Sequence, residues 1–385
     1  MLDEPSSWLS HETPQDEPPS VQPVHTGASP LTEVEAAVTA VMDIQAADYD
    51  PPPPAVARYM GTLRLDSAEA YARLDATCAP LGLRPVLTVN DAGAHVIVVF
   101  LRRAHRKARS PWLHVVLLIL TVLSVLSVGA AHEANTSESL NLLKGWPFAL
   151  SLMAILGAHE MGHYLAAKRH GVRASWPYFI PFPLNVFGTL GAFIMFREPV
   201  PNRRILFDIS AAGPLAGFAV AVPLLLFGLA TSDVQPLPQN EAYMLEGNSI
   251  LYASAKYAIF GEWLPDGEKD VFVNQVAWAG WSGLLLTALN LIPAGQLDGG
   301  HIAYALLGER VRKLYWPLVS VMVALAFFNS VWWLLAALVV LMGKLYAPPL
   351  DGVTPLDVHR RRWAYVVIAV LVLTFVPLPL RIVTP

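Results

Sequence analysis

Residues 146–167 read WPFALSLMAILGAHEMGHYLAA, an apolar run that is long enough to cross a lipid bilayer as a helix. Three ionisable residues interrupt this run, namely His159, Glu160 and His163. A charge at membrane depth costs about 3 kcal/mol or more, so these residues are expected to have a partner or a chemical role. Four residues advance a helix by roughly 400°, which brings the two imidazoles onto one face, where they can bind the same metal ion.

The composition of the whole chain indicates a membrane protein. Of its residues, 54% are hydrophobic and 15% are charged, whereas about 25% are charged in an ordinary soluble protein. The formal charge of -4 leaves no broad basic face for a phosphate backbone, which argues against nucleic-acid binding. Cys78 is the single cysteine, so an internal disulfide and a cysteine-rich zinc site are both excluded. Any metal would therefore be held by His, Asp or Glu.

The apolar segments of the chain predict a polytopic all-α membrane protein. Seven segments are expected to span the bilayer or nearly so: residues 112–131, 146–167, 205–230, 271–293, 314–328, 331–346 and 363–380. With seven spans, every cluster of Lys and Arg falls on one side, and the positive-inside rule makes the N-terminus cytoplasmic and the C-terminus external. Six spans, with residues 314–346 as one helix, are the alternative, but they would place Arg360, Arg361 and Arg362 outside.

The region before the spans divides into three predicted parts. Residues 1–57 contain ten acidic residues and neither Lys nor Arg, which predicts an acidic, Pro-rich disordered tail. Within it, residues 31–47 have the apolar spacing of one short amphipathic helix. Residues 58–101 predict a small cytoplasmic α/β domain of βαββ order, with strands at 59–65, 84–89 and 95–101 and a helix at 67–78. Residues 102–111 are a basic juxtamembrane linker, and residues 112–380 are the transmembrane domain.

The apolar run 187–196 predicts a short β-hairpin at membrane level. Such a hairpin would present a strand edge to which an extended peptide can add. Asn185, near its start, and the glycines Gly188 and Gly191 are the candidate substrate-binding residues. A re-entrant hairpin that simply closes the helix bundle is the alternative.

The third span carries small residues and a charge near its start. Ala212, Gly213 and Gly217 are expected to allow close approach of another helix. Asp208 is expected to pair with Arg203 or Arg204, which are close to it in sequence.

Residues 290–301 read NLIPAGQLDGGH and end the fourth span. Pro293 removes a backbone donor and the glycines favour irregular backbone, which at membrane depth occurs where it lines a cavity or is covered by protein. A zinc ion that keeps one position open needs a third protein ligand, and Asp298 is the candidate.

Four motifs, in this order, resemble the site-2 protease family of intramembrane zinc metalloproteases: HEMGH, FGTLGAF at 187–193, AGPLAG at 212–217 and NLIPAGQLDGGH. The resemblance covers residues 146–310 and is closest to a subgroup with plant chloroplast and bacterial members that lacks a PDZ insertion. It implies His159, His163 and Asp298 as zinc ligands, Glu160 as the catalytic base and Asn290 as a polar group near the substrate carbonyl. Gln296 stands where many members have proline.

The expected function is therefore that of an intramembrane zinc endopeptidase with one Zn²⁺ per chain. Its substrates would be transmembrane or membrane-tethered proteins, cleaved near the cytoplasmic face, and its partner would be the lipid bilayer rather than a nucleic acid. A zinc transporter and a catalytically silent membrane scaffold are the alternatives. The expected location is a bacterial plasma membrane, with a plastid membrane as the alternative, and the sequence does not indicate an oligomeric state.

Overall fold

The structure is a computed structural model and describes residues 30–90, 92–102, 111–133, 141–239, 242–342 and 348–383. Residues 1–29 of the predicted tail and residues 103–110 of the predicted basic linker lie outside the described residues.

A small α/β domain precedes the membrane-type helices. Its elements are helix α1 (Pro30–Val41), strands β1 (Met42–Asp48) and β2 (Ala55–Leu63), helix α2 (Ser67–Cys78), and strands β3 (Leu83–Val89) and β4 (His95–Leu101). The strands form an antiparallel sheet in the order β1-β2-β4-β3. Both helices contribute to its core, in which Val38, Tyr59, Leu74 and Ile97 are fully buried.

The structure corrects the boundary predicted for this domain. The prediction of disorder up to residue 57 is wrong from residue 30 onward, because α1 buries Val34, Val38 and Val41 against the sheet and β1 pairs with β2. None of the acidic residues of this stretch is buried, so the short amphipathic helix indicated by the apolar spacing at 31–47 forms despite the acidic composition. The domain therefore has the order αββαββ rather than βαββ.

The rest of the described chain contains nine further α-helices. They are α3 (Trp112–Glu133), α4 (Trp146–Arg169), α5 (Arg203–Ala230), α6 (Ile250–Phe260), α7 (Gln275–Asn290), α8 (Asp298–Leu307), α9 (Tyr315–Ala326), α10 (Val331–Met342) and α11 (Val358–Thr374). Helix α4 follows a short 3-10 helix (Leu142–Gly145), and a second one (Gly308–Leu314) precedes α9. Helix α4 packs against α5 and α7 in the largest core, around Leu152, Ile155, Leu225 and Trp281.

Three helices of the described residues are long and apolar enough to cross a membrane: Trp112–His132, Leu142–Arg169 and Arg203–Ala230. The other predicted spans correspond to the shorter helices α7, α9, α10 and α11. Helices α9 and α10 have 12 residues each. A helix of that length rises about 18 Å, which is less than the ~30 Å of a bilayer core.

The chain breaks between α9 and α10 at Asn329. Its Nδ2 donates to the carbonyl of Leu380 at 2.7 Å, and its Oδ1 accepts from the backbone N–H of Val331 at 3.1 Å. A side chain that bonds backbone groups in this way ends one helix and caps the next. Residues 314–346 are therefore not a single helix.

Three two-stranded antiparallel sheets accompany these helices. Strand β5 (Tyr178–Pro181) pairs with β6 (Thr189–Phe193), so only the second strand of this hairpin lies in the predicted run 187–196, and the first strand precedes it. Strand β7 (Asp233–Pro236) pairs with β9 (Lys269–Phe272), and β8 (Tyr243–Glu246) pairs with β10 (Leu380–Val383).

A segment before α11 joins the small domain to the helices. The backbone N–H of Leu87 in β3 donates to the carbonyl of Leu350 at 2.8 Å, and that of Gly352 donates back to Leu87 at 2.9 Å. The N–H of Leu350 also donates to the carbonyl of Val200, just before α5, at 2.9 Å. The small domain therefore packs at the end of the bundle where α5 and α11 begin.

Candidate metal centre

His159 and His163 lie one helical turn apart on α4, and their imidazoles meet. Both are buried, and their Nε2 atoms are 3.1 Å apart. Each residue is only 6% exposed, so the two rings lie in a protein interior rather than in solvent. The spacing H-E-x-x-H thus produces the shared face that the sequence predicts.

Asp298 approaches the same point from the first residue of α8. Its Oδ2 lies 3.2 Å from Nε2 of His159, and its Oδ1 lies 3.3 Å from Nε2 of His163. The potential ligand atoms of these three residues all lie within 4.8 Å of one another. The structure therefore brings together the three residues that the sequence analysis named as zinc ligands.

Glycines allow the backbone to carry Asp298 to this position. Gly295 has φ +47, in the left-handed region that favours glycine. A Cβ at Gly299 would lie 2.0 Å from the carbonyl oxygen of Leu291, and one at Gly300 would lie 2.4 Å from that of Gly295. The chain between α7 and α8 folds back so tightly that a side chain at either position would collide with backbone.

Helix α5 forms the wall behind the two imidazoles. A Cβ at Gly213 would lie 2.1 Å from Nε2 of His163, and one at Gly217 would lie 3.2 Å from Cβ of His159. These distances confirm the prediction that the small residues of this helix permit close approach. The same helix offers the carbonyl of Ile209, to which Nδ1–H of His163 donates at 2.8 Å.

The Ile209 contact decides which nitrogen of His163 faces the centre. A carbonyl oxygen only accepts, so Nδ1 carries the proton and Nε2 keeps its lone pair for a metal. Sequence analysis missed this contact, because a backbone carbonyl is available from any residue type and leaves no pattern in the sequence.

Glu160 is buried beside the centre, and its Oε2 has no hydrogen-bond partner among the described residues. A buried carboxylate oxygen without a partner is rare and requires an explanation, such as a catalytic role or a bound ion or water. Two imidazoles and a carboxylate are also the ligand types that zinc accepts. The donor set and the unpartnered oxygen therefore both fit a catalytic zinc ion.

A cavity of about 200 Å³ opens onto these residues. The cavity is lined by residues of helices α4, α5, α7 and α8, of the turn between α7 and α8, and of the β6 region. These residues are His159, Glu160, His163, Ala192, Phe193, Ile194, Phe196, Ile209, Ser210, Asn290, Gln296, Leu297, Asp298 and His301. Asn290 thus lines the same cavity as the metal centre, as expected for a group near the substrate. His301 lines it as well, although it is not part of the three-residue ligand group.

The three candidate substrate-binding residues do not line this cavity. Oδ1 of Asn185 accepts from the backbone N–H of Gly188 at 2.7 Å, which stabilises the turn of the hairpin. Gly188 packs against helix α3, where a Cβ would lie 2.7 Å from Cα of Val125. Gly191 has φ +98 and open space around it. The hairpin residues at the cavity are instead Ala192, Phe193, Ile194 and Phe196.

Part of the chain is similar in sequence to known peptidases. Residues 147–332 match peptidase family M50. A probable chloroplastic zinc metalloprotease, EGY2 of Oryza sativa subsp. indica, is 35% identical over 252 residues, which are 63% of this chain and 43% of that protein. The probable zinc metalloprotease EGY1 of Arabidopsis thaliana, also chloroplastic, is 32% identical over 60% of this chain and 42% of its own length.

The chain spans less than half the length of these curated relatives. No solved structure matches the chain. The HEMGH and NLIPAGQLDGGH motifs, whose residues meet at the metal centre, both lie within the matched region. Over this region, the chain is similar to peptidase family M50, which is consistent with its resemblance to the site-2 proteases.

Proposed function

We propose that the protein is an intramembrane zinc endopeptidase that hydrolyses peptide bonds of transmembrane or membrane-tethered proteins. One observation carries this proposal. Three potential ligand atoms converge in a buried cavity beside Oε2 of Glu160, which has no partner within the described chain. The chain's relatives are named zinc metalloproteases, which supports the same reaction class.

In this proposal, His159, His163 and Asp298 hold one Zn²⁺ per chain. Zinc with an open position polarises a carbonyl and lowers the pKa of a bound water to ~7. The Ile209 carbonyl fixes the tautomer of His163, and Asp298 balances part of the metal's charge.

Glu160 is the proposed general base. Its free Oε2 accepts a proton from the attacking water and afterwards passes it to the nitrogen of the leaving amine. Asn290, which lines the same cavity, is proposed to donate a hydrogen bond to the developing oxyanion. Burial of Glu160 limits the access of bulk water and strengthens its interactions, whereas Asn290 is half-buried.

The β5–β6 hairpin is the proposed substrate guide. In the described residues, β6 has β5 as its one sheet neighbour, so its other edge can pair with an extended peptide. Ala192 and Phe193 of β6 line the cavity of the metal centre. A peptide added at this edge would therefore pass the zinc ligands, and Asn185, Gly188 and Gly191 would act by shaping the hairpin.

We further propose a multi-pass protein of seven spans whose protease domain is residues 112–380, with a core at 146–310. Arg360, at the start of α11, bonds Asp208 near the start of α5, which supports placing both helix starts on one side of the membrane. That side is cytoplasmic by the positive-inside rule. A bacterial plasma membrane is our expected location, and the chloroplastic relatives support the plastid membrane as its alternative.

Glu160 also distinguishes this proposal from its alternatives. A zinc transporter needs polar residues along a path through several spans. A silent scaffold needs no base beside the metal. In the described residues, the potential ligands form a single group, and an unpartnered carboxylate lies beside it, which favours hydrolysis.

The test uses purified protein in detergent with a single-span substrate. Glu160→Gln should retain zinc and lose cleavage by roughly 10²–10⁴-fold, the usual contribution of general acid–base catalysis. Asp298→Ala should lose both zinc and cleavage. Glu262→Gln, which alters a partly exposed carboxylate paired with Lys269, is the matched control and should retain both.

Cleavage by Glu160→Gln at the wild-type rate would exclude Glu160 as the base. Zinc content that is not stoichiometric in the wild type, or that survives replacement of both His159 and His163, would overturn the site itself. Flux of zinc into sealed proteoliposomes without cleavage would identify a transporter instead.

A further inference from the structure

An ionic cluster joins three helices at the end of the bundle nearest to the small domain. Asp208 of α5 accepts two hydrogen bonds from Arg360 of α11, at 2.8 Å from Nε to Oδ1 and 2.6 Å from Nη2 to Oδ2. His170, the residue that caps the C-terminus of α4, places its Nε2 2.9 Å from Oδ2 of the same carboxylate. The expected pairing of Asp208 with Arg203 or Arg204 is therefore wrong. These are its immediate helical neighbours, and the guanidinium that reaches it comes from another helix.

This cluster is close in sequence to the contact that orients a zinc ligand. Asp208 directly precedes Ile209, whose carbonyl accepts the hydrogen bond from Nδ1 of His163. His170 follows His163 by seven residues on the same helix. Two consecutive residues of α5 thus contact α4 twice, once at the metal centre and once at the ionic cluster.

The first turns of α5 need such an external support. Pro214 lies inside the helix and has no N–H to donate to the carbonyl of Ser210. A proline in a helix interior also tends to kink it, which loosens the alignment of the turn before it with the turns after it. Ile209 lies in that preceding turn, so its position depends on what holds the beginning of α5.

The geometry of the cluster suits that purpose. A guanidinium that binds both oxygens of a carboxylate fixes direction as well as distance. Both side chains are about three-quarters buried, with exposed fractions of 28% for Arg360 and 23% for Asp208. Arg360 also contacts Asp357, which caps the N-terminus of α11, so the guanidinium itself is held in place.

We propose that Asp208 and Arg360 are positioning residues for the metal centre. They fix the first turns of α5 against α4 and α11, and so hold the carbonyl of Ile209 against Nδ1 of His163. Nε2 of His163 then points at the metal position. The inference rests on the proposed zinc site, because the effect is transmitted through one of its ligands.

The test compares Asp208→Asn, Arg360→Gln and the double variant with wild type. Zinc affinity is measured by competition with a chelator, and Co²⁺ substituted into the site reports ligand geometry by its visible absorption. Each single variant should weaken zinc binding by about tenfold, the lower end of the effect of partners behind metal ligands. At saturating zinc, kcat should fall while KM stays unchanged. The double variant should be little worse than either single one, because both remove the same contact.

Two further variants separate positioning from general stability. Arg312→Gln breaks an exposed ion pair with Glu309 on the same protein and should leave zinc affinity, the Co²⁺ spectrum and kcat unchanged. Arg360→Lys keeps the charge but loses the two-point geometry, and it should recover part of the affinity that Arg360→Gln loses. It also supplies a folded protein to measure if Arg360→Gln proves unstable.

A lower melting temperature with unchanged zinc affinity, Co²⁺ spectrum and kcat would overturn the proposal, since it would assign the cluster a purely structural role. The proposal would also be overturned if the fold-loss of zinc affinity in the double variant equalled the product of the fold-losses in the two single variants. A wild-type protein that neither binds zinc nor cleaves substrate is a different result, because it would refute the proposed function rather than the role of Asp208 and Arg360.

Discussion

Two groups of buried polar side chains in the helical part of the chain differ in how their charge is balanced. In one, Lys256 of α6 is fully buried, with Nζ 2.9 Å from Asp270 and 3.6 Å from Glu246. In the other, Asp298 faces two histidines, and none of the described residues that line the cavity is Lys or Arg. The first group contains its own cation, the Lys256 ammonium, whereas the residues of the metal centre are arranged to bind a metal cation.

This difference separates a structural cluster from a reactive one. The Lys256 cluster connects α6 to β8 and β9, and the hydroxyl of Tyr252 donates to Glu246 at 2.7 Å. Lys256 balances the charge of this cluster inside the protein, although Oδ2 of Asp270 has no hydrogen-bond partner in the described chain. Oε2 of Glu160 also lacks a partner in the described chain, but it lies beside two imidazoles and a carboxylate in a cavity with no Lys or Arg among its described lining residues. Burial of charge alone therefore does not identify an active site.

The largest expected effect on stability comes from removing the internal cation. Lys256→Met leaves Asp270 and Glu246 buried without it, and should lower the free energy of unfolding by about 3–5 kcal/mol. Lys269→Met, which breaks the partly exposed pair with Glu262, is the control and should cost about 0–1 kcal/mol. Unfolding by denaturing detergent measures both values. Equal losses in the two variants would show that the buried cluster is no more important than a surface ion pair.

Zinc affinity should fall when a glycine of α5 that faces the metal centre is replaced by alanine, which adds one methyl group. Gly213→Ala would place Cβ 2.1 Å from Nε2 of His163, so the imidazole must move, and zinc affinity should fall by about 100-fold. Gly217→Ala creates only a tight contact at 3.2 Å from Cβ of His159 and should cost about tenfold or less. Chelator competition measures both. An order of effects opposite to this one would mean that α5 does not support the ligands as described.

The smallest expected effect is a change in pH dependence at the Lys256 cluster. Burial raises the pKa of Glu246 above its usual value of 4.5, although Lys256 and the Tyr252 hydroxyl oppose this and Asp270 adds to it. The folded chain therefore keeps the proton at a pH where the unfolded chain has lost it. The free energy of unfolding should decrease as the pH rises from about 4.5 towards the folded-state pKa.

Glu246→Gln should remove this slope, because the amide does not titrate and its oxygen can still accept from Tyr252. Unfolding measured from pH 4 to pH 7 in wild type and variant tests this expectation. An unchanged slope in the variant would assign the pH dependence to another group.

Local patterns predicted several elements correctly. The helix expected at 67–78 and the strand expected at 95–101 have those bounds in the structure, because a helical apolar spacing and an uninterrupted β-branched run each act over a few residues. The apolar spacing at 31–47 indicated a short helix, but the region of helix α1 and strand β1 was assigned to a disordered tail because of its acidic and proline-rich composition. Their apolar residues were present, but their partners in the sheet come later in the chain.

Long-range contacts at the site were harder to predict. The sequence placed His159 and His163 together because both lie on one helix. It named Asp298 from the chemistry of zinc and from a family resemblance. The partner of Asp208 was predicted wrongly among its neighbours, since Arg360 lies 152 residues away and reaches it only through packing of α11 on α5.

The sequence by itself determined a helical membrane-type chain, the alignment of two imidazoles on α4 and a helix break before Asp298, because each depends on residues within a few positions of one another. Tertiary structure alone decided that Asp298 meets the histidines across 139 residues, that Ile209 orients His163, and that Arg360 secures Asp208. These contacts depend on how distant helices pack, and a backbone carbonyl or a shared carboxylate leaves no periodic pattern from which to infer them.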